Sequence, residues 1–250
     1  MRDWQGKRYW IVGASEGLGR ALSHLLSKAG AEVILSARSE DRLTELAAEM
    51  PGTAMAVPMD VSDMAAVKAA AAKVGPVDGL VFLAGVYWPM QAQKFDGEAA
   101  SAMLDVNLTG AARVLGEVVP AMVERDEGHI VLTGSLSGFR GLPGAVGYGA
   151  SKAGLMSLGE SMHCDLQGTG VLVQLANPGF IRTRMTDKNA FKMPAIMEPE
   201  EAAQDMFELM CTNNFKRNFP LLFSLFFRFS QFLPDALYYP MMKGRGSKGQ

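Results

Sequence analysis

A tyrosine, a lysine and a serine near the middle of the chain could together handle a proton. Tyr148 and Lys152 are four positions apart, which puts their side chains on one face of a helix. A tyrosine and a lysine at this spacing usually have no function when they stand alone. A free tyrosine has a pKa of about 10 and needs a nearby cation before its phenolate becomes accessible near neutral pH, and Lys152 can supply that charge. Ser135 follows an apolar run at residues 130–133 that is typical of a buried strand. The three polar groups can therefore converge at the end of that strand.

A glycine-rich loop follows the first apolar run, residues 9–12. It reads Gly13-Ala14-Ser15-Glu16-Gly17-Leu18-Gly19, and a helical pattern then continues to Gly30, a suitable C-terminal glycine. Glycines without a Cβ let the backbone turn tightly and approach a pyrophosphate at the helix N-terminus, where free N–H groups point outward. A plain strand-to-helix turn would explain the loop equally well if it stood alone. The strand before it and the helix after it favour a dinucleotide site.

Short apolar runs separated by helical, alanine-rich stretches predict the elements that position these residues. The predicted strands are residues 9–12, 33–35, 80–83, 130–133 and 171–175, with a weaker one at 55–58. Runs that are apolar on both faces suit the central strands of a parallel sheet covered by helices on each side. We expect an α/β fold with a Rossmann-type doubly wound parallel sheet, in a single domain over residues 1–250. A helix over residues 64–74 is predicted to be capped by Ser62.

The composition of the chain argues against nucleic acid as a partner. The chain has 250 residues, 48% of them hydrophobic, and a net charge of -2, so it lacks the concentrated Lys and Arg of a nucleic-acid-binding protein. Cys164 and Cys211 make no metal-ligand spacing with His24, His129 or His163, so no metal site is predicted and the histidines are interpreted as packing or surface residues. The first nine residues contain no apolar stretch of signal-peptide length. We expect small-molecule partners and a cytoplasmic location.

The end of the second predicted strand bears on which dinucleotide binds. Ser36-Ala37-Arg38 carries a guanidinium where such folds place either an acid for the ribose 2′-hydroxyl or a base for a 2′-phosphate. The missing acid favours NADP, with an ordinary solvated arginine as the alternative interpretation of Arg38. Asp60 and Val61 follow the third strand and could meet the adenine, while Asp60 could equally be a simple loop acid.

These motifs together resemble the short-chain dehydrogenase/reductase family. Its pattern combines a GxxxGxG loop, a catalytic serine and, about a dozen residues later, YxxxK. The resemblance runs almost the full length of the chain and includes Asn107 as the family's fourth catalytic position. It also includes residues 178–183, Pro-Gly-Phe-Ile-Arg-Thr, which look like the segment that closes over the nicotinamide.

The resemblance implies an oxidoreductase that uses NADP, with NAD as the alternative cofactor. Tyr148 would be the general acid in carbonyl reduction, and Ser135 would hydrogen-bond the substrate oxygen. Lys152 would bind the ribose hydroxyls, and Asn107 would hold a water that returns the proton. The residues that the resemblance places against the cofactor are Gly13, Ser15, Glu16, Gly17, Leu18, Gly19, Arg38, Asp60, Val61, Ala84, Gly85, Tyr148, Lys152, Pro178, Gly179, Ile181 and Thr183.

Two departures from the family pattern stand out. The family usually has Asn-Asn-Ala-Gly after the fourth strand, whereas this chain has Phe82-Leu83-Ala84-Gly85, so the hydrogen bonds that steady the neighbouring strand must be replaced or omitted. Glu16 is the second departure, because NADP-preferring relatives often have a basic residue in that loop.

Two other functions compete with this one. A regulator that binds NAD(P) without turning it over would be indicated by degenerate catalytic residues, but all four positions are present. A serine hydrolase is the other alternative, yet Ser135 and Ser137 lie outside any GxSxG elbow.

The substrate is expected to be a lipophilic ketone or alcohol. The candidate pocket walls, residues 86–90, 138–143 and 185–194, are largely apolar, although such side chains could also pack on one another. Their large apolar residues are Trp88, Phe139, Leu142, Met185, Phe191 and Met193. The resemblance implies a homodimer or homotetramer, since members of the family assemble through helices that correspond to residues 97–125 and 147–167. The Ala-, Gly- and Met-rich faces of these two stretches would allow close packing there.

Residues 213–250 form a hydrophobic C-terminal extension. After Phe215 we expect the family's final strand and glycine-rich end to be missing, and Pro220 and Pro234 to bracket a helix of about four turns, too short to span a bilayer. Its surplus apolar surface should pack over the substrate pocket and across a subunit interface, or lie on a membrane surface. The second arrangement would put near the lipid headgroups Lys243, Arg245 and Lys248.

Overall fold

The strands assemble into one parallel sheet. Within residues 2–188 and 193–243, which this computed structural model describes, seven strands pair in the order β3-β2-β1-β4-β5-β6-β7. They are β1 (Arg8–Val12), β2 (Glu32–Ser36), β3 (Ala54–Ala56), β4 (Gly79–Phe82), β5 (Gly128–Thr133), β6 (Val171–Pro178) and β7 (Lys216–Phe219). The order reverses beside β1, which pairs with β2 on one side and β4 on the other. In open parallel sheets, ligands bind at the strand ends beside such a reversal.

Helices cover both faces of the sheet, as the continuous apolar strands predict. One core packs α1 (Gly17–Lys28), α2 (Glu40–Glu49) and α7 (Pro199–Met210) on the first face. The second core packs α3 (Met64–Val74), α5 (Gly110–Glu124) and α6 (Val146–Asp165) on the other. The predicted Rossmann-type doubly wound fold is confirmed.

The six predicted strands are all present, and three other expectations need correction. Ser62 does not cap α3, because its hydroxyl donates to the Asp60 carboxylate (2.6 Å) and Asp63 accepts from the N–H of Ala65 (2.8 Å) instead. The helix expected over residues 97–125 is interrupted: α4 (Gly97–Leu104) passes through a π-helical turn, Asp105–Thr109, before α5 begins. The final strand expected to be missing exists as β7, whose polar Lys-Arg-Asn sequence resembles a loop because it lies at the edge of the sheet.

The C-terminal extension is two short helices rather than one. α8 (Leu221–Ser230) ends four residues before Pro234, and α9 (Asp235–Lys243) follows. Arg140 holds the connection between them: it donates to the carbonyl oxygens of Ser230 and Leu233 (2.7 Å for the latter) and pairs with Asp235. Among the described residues, no helix is long and apolar enough to cross a membrane. Arg245 and Lys248 lie outside the described residues.

A buried polar network links three strands at the amino-terminal end of the sheet. His129 on β5 is hydrogen-bonded to the hydroxyl of Tyr9 on β1 and to Oε1 of Gln174 on β6, both at 2.8 Å. Nε2 of Gln174 donates in turn to the backbone carbonyl of Leu209 (3.0 Å) in the last turn of α7 and to that of Thr212 (3.0 Å) just after it. Burial lowers the pKa of His129 to about 3. The interpretation of His129 as a packing residue is consistent with this position, far from the carboxyl ends of the strands.

We predict that His129 makes the protein less stable in mild acid. Its pKa is about 3 when folded and about 6.5 when unfolded, so between these values the unfolded chain binds a proton that the folded chain does not. The free energy of unfolding should fall as the pH drops below about 6.5, by at most about 1.4 kcal/mol per pH unit from this group. Urea unfolding of the wild type and His129→Gln across that range should give a shallower slope for the variant. Parallel curves would contradict the assignment.

Candidate active site

The candidate site lies where the ends of β1 and β4 approach each other. Gly13 has φ +98°, and a Cβ added there would lie 2.5 Å from the backbone nitrogen of Ala84. A Cβ on Gly19 would lie 2.0 Å from the carbonyl oxygen of Gly13. Only glycine fits at these two positions, because any side chain would force the loop away from both β4 and its own helix. The loop therefore keeps the backbone N–H groups at the N-terminus of α1 accessible from the carboxyl ends of the strands.

A cleft of about 350 Å³ opens over this loop, a size within the range of small-molecule sites. Every residue predicted to contact the cofactor lines it, from the glycine-rich loop to Thr183. Two of the predicted catalytic residues, Tyr148 and Lys152, also line the cleft. Val86, from one of the predicted pocket walls, also lines the cleft, whereas four other lining residues were missed by sequence reasoning: Ser39, Arg42, Arg184 and Thr186.

The start of α6 brings the lysine and tyrosine together as their spacing predicts. Nζ of Lys152 lies 5.8 Å from the centre of the Tyr148 ring and donates to the carbonyl oxygen of Thr133 (2.8 Å) at the end of β5. Lys152 is buried, and burial lowers its pKa to about 8. One donor of its ammonium group is used by Thr133, which leaves two for other partners.

Tyr148 holds its proton firmly in this structure. Burial raises the pKa of Tyr148 to about 12, and a hydrogen bond from Ser135 acts in the opposite direction. The oxygen of Ser135 accepts from the N–H (3.2 Å) and the hydroxyl (2.9 Å) of Ser137, which leaves its own hydrogen available for Tyr148. The pair therefore brings two hydroxyl groups together, with Tyr148 in the lining of the cleft and Ser135 buried beside it.

Asn107 is buried in the π-helical turn and fastens the loop after β4. Its Oδ1 accepts from the N–H of Val86 (2.7 Å), while its Nδ2 donates to the carbonyl oxygen of Val86 (3.0 Å) and to Ser151 (2.9 Å). Both donors of the amide are used, and one lone pair of Oδ1 remains. A water molecule could donate a hydrogen bond to that lone pair. The side chain thus ties the loop after β4 to α6.

Backbone hydrogen bonds hold the chain after β4, where the asparagines of the family pattern are missing. The N–H groups of Leu83 and Ala84 both donate to the carbonyl oxygen of Val12, at 2.7 and 2.9 Å. The side chain of Leu83 packs against the first core instead of hydrogen-bonding. The Phe82-Leu83-Ala84-Gly85 sequence therefore keeps the end of β4 attached to β1 without side-chain amides.

Arginines gather at the outer end of the cleft. Arg38 and Arg42 both line it, and Arg42 lies 3.4 Å from the carboxylate of Glu16, which also pairs with Arg184. Ser36 faces inward, where its hydroxyl accepts from the indole N–H of Trp10 (2.8 Å). Glu16, a departure from the family pattern, is thus neutralised by cations.

Asp60 completes this end of the cleft as an ionised carboxylate. Burial acts to raise the pKa of Asp60. Hydrogen bonds from Ser62 and the charges of Arg38 and Arg113 lower it by a larger amount, so the pKa lies below its ordinary value. The carboxylate accepts from both the N–H and the hydroxyl of Ser62, which fixes the turn after β3.

Aromatic side chains pack against Tyr148 and against the segment after β6. The Tyr87 ring packs edge-on against Tyr148, with centroids 5.1 Å apart. Phe223 of α8 lies against Gly179, and a Cβ added to Gly179 would be 3.2 Å from the Phe223 ring. The ring centroids of Phe223 and Phe180 are 6.0 Å apart. One face of the extension thus covers the segment after β6. Phe191, a predicted wall residue, lies outside the described residues.

Known proteins to which this chain is similar include dehydrogenases, reductases and other oxidoreductases. A family model described as short chain dehydrogenase matches residues 7–193, a stretch that contains the glycine-rich loop and the Ser135, Tyr148 and Lys152 cluster. An uncharacterized oxidoreductase of Myxococcus xanthus (strain DK1622) is 37% identical over 245 residues, covering 95% of this chain and 97% of the relative. A 3-oxoacyl-acyl-carrier-protein reductase of Thermotoga maritima is 33% identical over 217 residues, covering 80% and 88%. A solved serine dehydrogenase complexed with NADP⁺ is 26% identical with a TM-score of 0.76, covering 84% and 94%.

Proposed function

This chain belongs to the short-chain dehydrogenase family, and from that premise we propose that it uses NADP(H) to interconvert a carbonyl group and a secondary alcohol. The observation that carries the proposal is the grouping of Tyr148, Lys152 and Ser135 beside a glycine-lined cleft. A proton donor, a buried cation and a second hydroxyl are the groups that carbonyl reduction needs from a protein.

The cleft fits a dinucleotide. Gly13 and Gly19 leave the backbone room that a Cβ would fill, and the N-terminus of α1 offers free N–H groups for a pyrophosphate. Gly85 lies beside Asn107 and Lys152, so the nicotinamide end would meet the catalytic cluster there. When bound, NADPH supplies the hydride for the reaction.

The protein's own groups handle the proton. In the reductive direction the hydroxyl of Tyr148 donates its proton to the carbonyl oxygen, and Ser135 donates a hydrogen bond to the same oxygen. Lys152, with a pKa of about 8, is largely charged at neutral pH and stabilises the phenolate that remains. Its two spare donors suit the ribose hydroxyls, and the spare lone pair of Asn107 suits a water that returns the proton.

Charge at the outer end of the cleft favours the phosphorylated cofactor. Arg38 and Arg42 can share the 2′-phosphate, with the hydroxyl of Ser39 between them in the chain. Ser36, whose side chain is committed to the core, cannot bind a ribose hydroxyl in its place. The solved NADP⁺ complex of a serine dehydrogenase is consistent with this choice.

The substrate we propose is a lipophilic ketone or alcohol. Tyr87 packs against Tyr148, and Phe223 packs against Gly179, so aromatic rings lie beside two of the residues that line the cleft. Such walls favour apolar groups, since a sugar or a charged metabolite would lose water without gaining polar partners.

Assembly into a dimer or tetramer is proposed through α4, α5 and α6. Leu104, Val123 and Val146, one from each helix, are exposed large apolar side chains among the described residues. We predict that light scattering at micromolar concentration will give the mass of at least a dimer. A monomer alone would contradict this part of the proposal.

Replacement of Tyr148 by Phe tests the proposed chemistry. Tyr148→Phe should lower the turnover number by about 10²- to 10⁴-fold, because it removes the proton donor and retains the ring. NADPH binding should stay nearly unchanged. Tyr87→Phe, which removes the neighbouring hydroxyl, is the matched control and should remain active. Wild-type turnover by Tyr148→Phe on a good substrate would refute the mechanism.

Removal of the Arg38 charge tests the choice of cofactor. Arg38→Ala should weaken NADPH binding by about 10- to 100-fold, the equivalent of a lost charge-assisted hydrogen bond, and should leave NADH binding almost unaltered. Arg20→Ala removes a cation from the exposed side of α1 and serves as control. Equal Michaelis constants for NADPH and NADH in the wild type would overturn the preference.

Two alanine variants, one on each side of α8, test whether this helix takes part in substrate choice. Phe223→Ala should raise KM for long-chain or polycyclic ketones more than for small ones, because Phe223 covers the segment after β6. Leu222→Ala changes the opposite side of the helix and should leave selectivity unchanged. Unaltered selectivity in a folded Phe223→Ala protein would show that α8 has no role in the pocket.

A further inference from the structure

The C-terminal helices carry an apolar surface that faces solvent. Seven of the thirteen exposed large apolar side chains in the described residues lie between Leu221 and Met241, so the exposure is concentrated rather than scattered. We call this surface the outer face and define it by its most exposed aliphatic and phenylalanine members: Leu221, Leu222, Phe229, Phe232, Leu237 and Met241. Concentrated exposure of this kind marks a surface that binds something apolar.

The outer face is separate from the side of α8 that covers the candidate site. Phe223, Phe227 and Ser230 repeat at helical spacing on the inner side, which packs on the segment after β6 and on Arg140. Leu222, Phe229 and Phe232 repeat at helical spacing on the other side, where Leu222 and Phe232 are 83% and 84% exposed. The helix α8 and the turn after it thus have two largely apolar sides: the inner side packs on the body of the protein, and the outer side is exposed among the described residues.

The outer face is held rigidly on the body of the protein. Arg140 bonds the carbonyl oxygens between α8 and α9, pairs with Asp235 and lies over the Tyr238 ring at 3.9 Å. The Tyr238 hydroxyl donates to the carbonyl oxygen of Gly141 (2.9 Å). Both helices are therefore attached on their inner sides, and the outer side chains cannot turn inward without breaking these contacts.

Charge indicates what covers the outer face. Within residues 221–250 the acidic residue is Asp235, which Arg140 neutralises, whereas the cations are Arg228, Lys243, Arg245 and Lys248. Neither Arg228 nor Lys243 forms an ion pair in the part of the chain that is described. This positive charge contrasts with the net charge of -2 for the whole chain. Apolar side chains flanked by cations complement the surface of an anionic bilayer.

A second copy of this chain fits less well. A two-fold interface places the same patch of each copy against the other, so two patches that both carry positive charge would face each other. We propose that the outer face of α8 and α9 is a docking surface for an anionic lipid bilayer, on which the protein lies without spanning it. This proposal goes beyond the oxidoreductase function and does not depend on it.

Sedimentation with lipid vesicles tests the proposal without a substrate or cofactor. The purified full-length protein is mixed with vesicles of phosphatidylcholine alone or of equal parts phosphatidylcholine and phosphatidylglycerol. Binding to the anionic vesicles should exceed binding to the neutral ones by at least about tenfold and should weaken as salt is added. Equal binding to both vesicles, or binding to neither, would overturn the proposal.

Variants then locate the binding surface. The double variant Leu222→Asp with Phe232→Asp should lower binding to the anionic vesicles by at least about tenfold, because both side chains would be charged at the acyl boundary. Met64→Asp is the matched control, since Met64 is exposed at the start of α3, after the strand at the opposite edge of the sheet. Both variants change exposed positions, and unaltered circular dichroism and melting temperature would confirm that they fold. Retained vesicle binding by the double variant would refute the assignment. If the double variant also changed from a dimer to a monomer while it still bound vesicles, the outer face would be a contact between two copies of the chain.

Discussion

The candidate site depends on one close backbone crossing at the carboxyl ends of β1 and β4. Gly13 turns with a positive φ, and its missing Cβ leaves space that the backbone at Ala84 occupies. Val12 accepts from two consecutive N–H groups after β4, so the two strand ends are joined before they diverge. A cleft at this reversal of strand order follows from the connections of a doubly wound sheet, and the glycines keep it open for a dinucleotide.

Burial sets the electrostatics at the inner end of this cleft. Loss of water lowers the pKa of Lys152 to about 8 and raises the pKa of Tyr148 to about 12, so both shifts favour the neutral forms. A tyrosine that keeps its proton is suited to donate it when an anion develops on a substrate oxygen. Asn107 supports the arrangement from behind, since it fixes the loop after β4 against α6. The fold thus positions the proposed proton donor through contacts made by residues that never touch a substrate.

Much of this architecture could be predicted from the sequence because its main patterns are local. The apolar runs predict the central strands, and the spacing of Tyr148 and Lys152 predicts a shared helix face, which the structure confirms. β7 was missed because an edge strand tolerates the polar residues Lys216, Arg217 and Asn218, so no apolar run marks it. Arg42, Arg184 and Phe223 reach the cleft or its cover from distant positions in the chain, and only the tertiary fold brings them there. Asp63 displaced Ser62 as the helix cap because Asp60 already binds the serine hydroxyl.

The central claim is that the strand-end cleft carries out hydride transfer rather than merely binding a dinucleotide. The most direct measurement uses NADPH deuterated at the transferable position of the nicotinamide, together with a panel of lipophilic ketones. We expect deuterium to appear on the carbinol carbon of an alcohol product, at a rate that depends on the enzyme. If NADPH binds tightly and no deuterium reaches any ketone of the panel, the protein is a cofactor-binding regulator and the account of its catalysis is wrong.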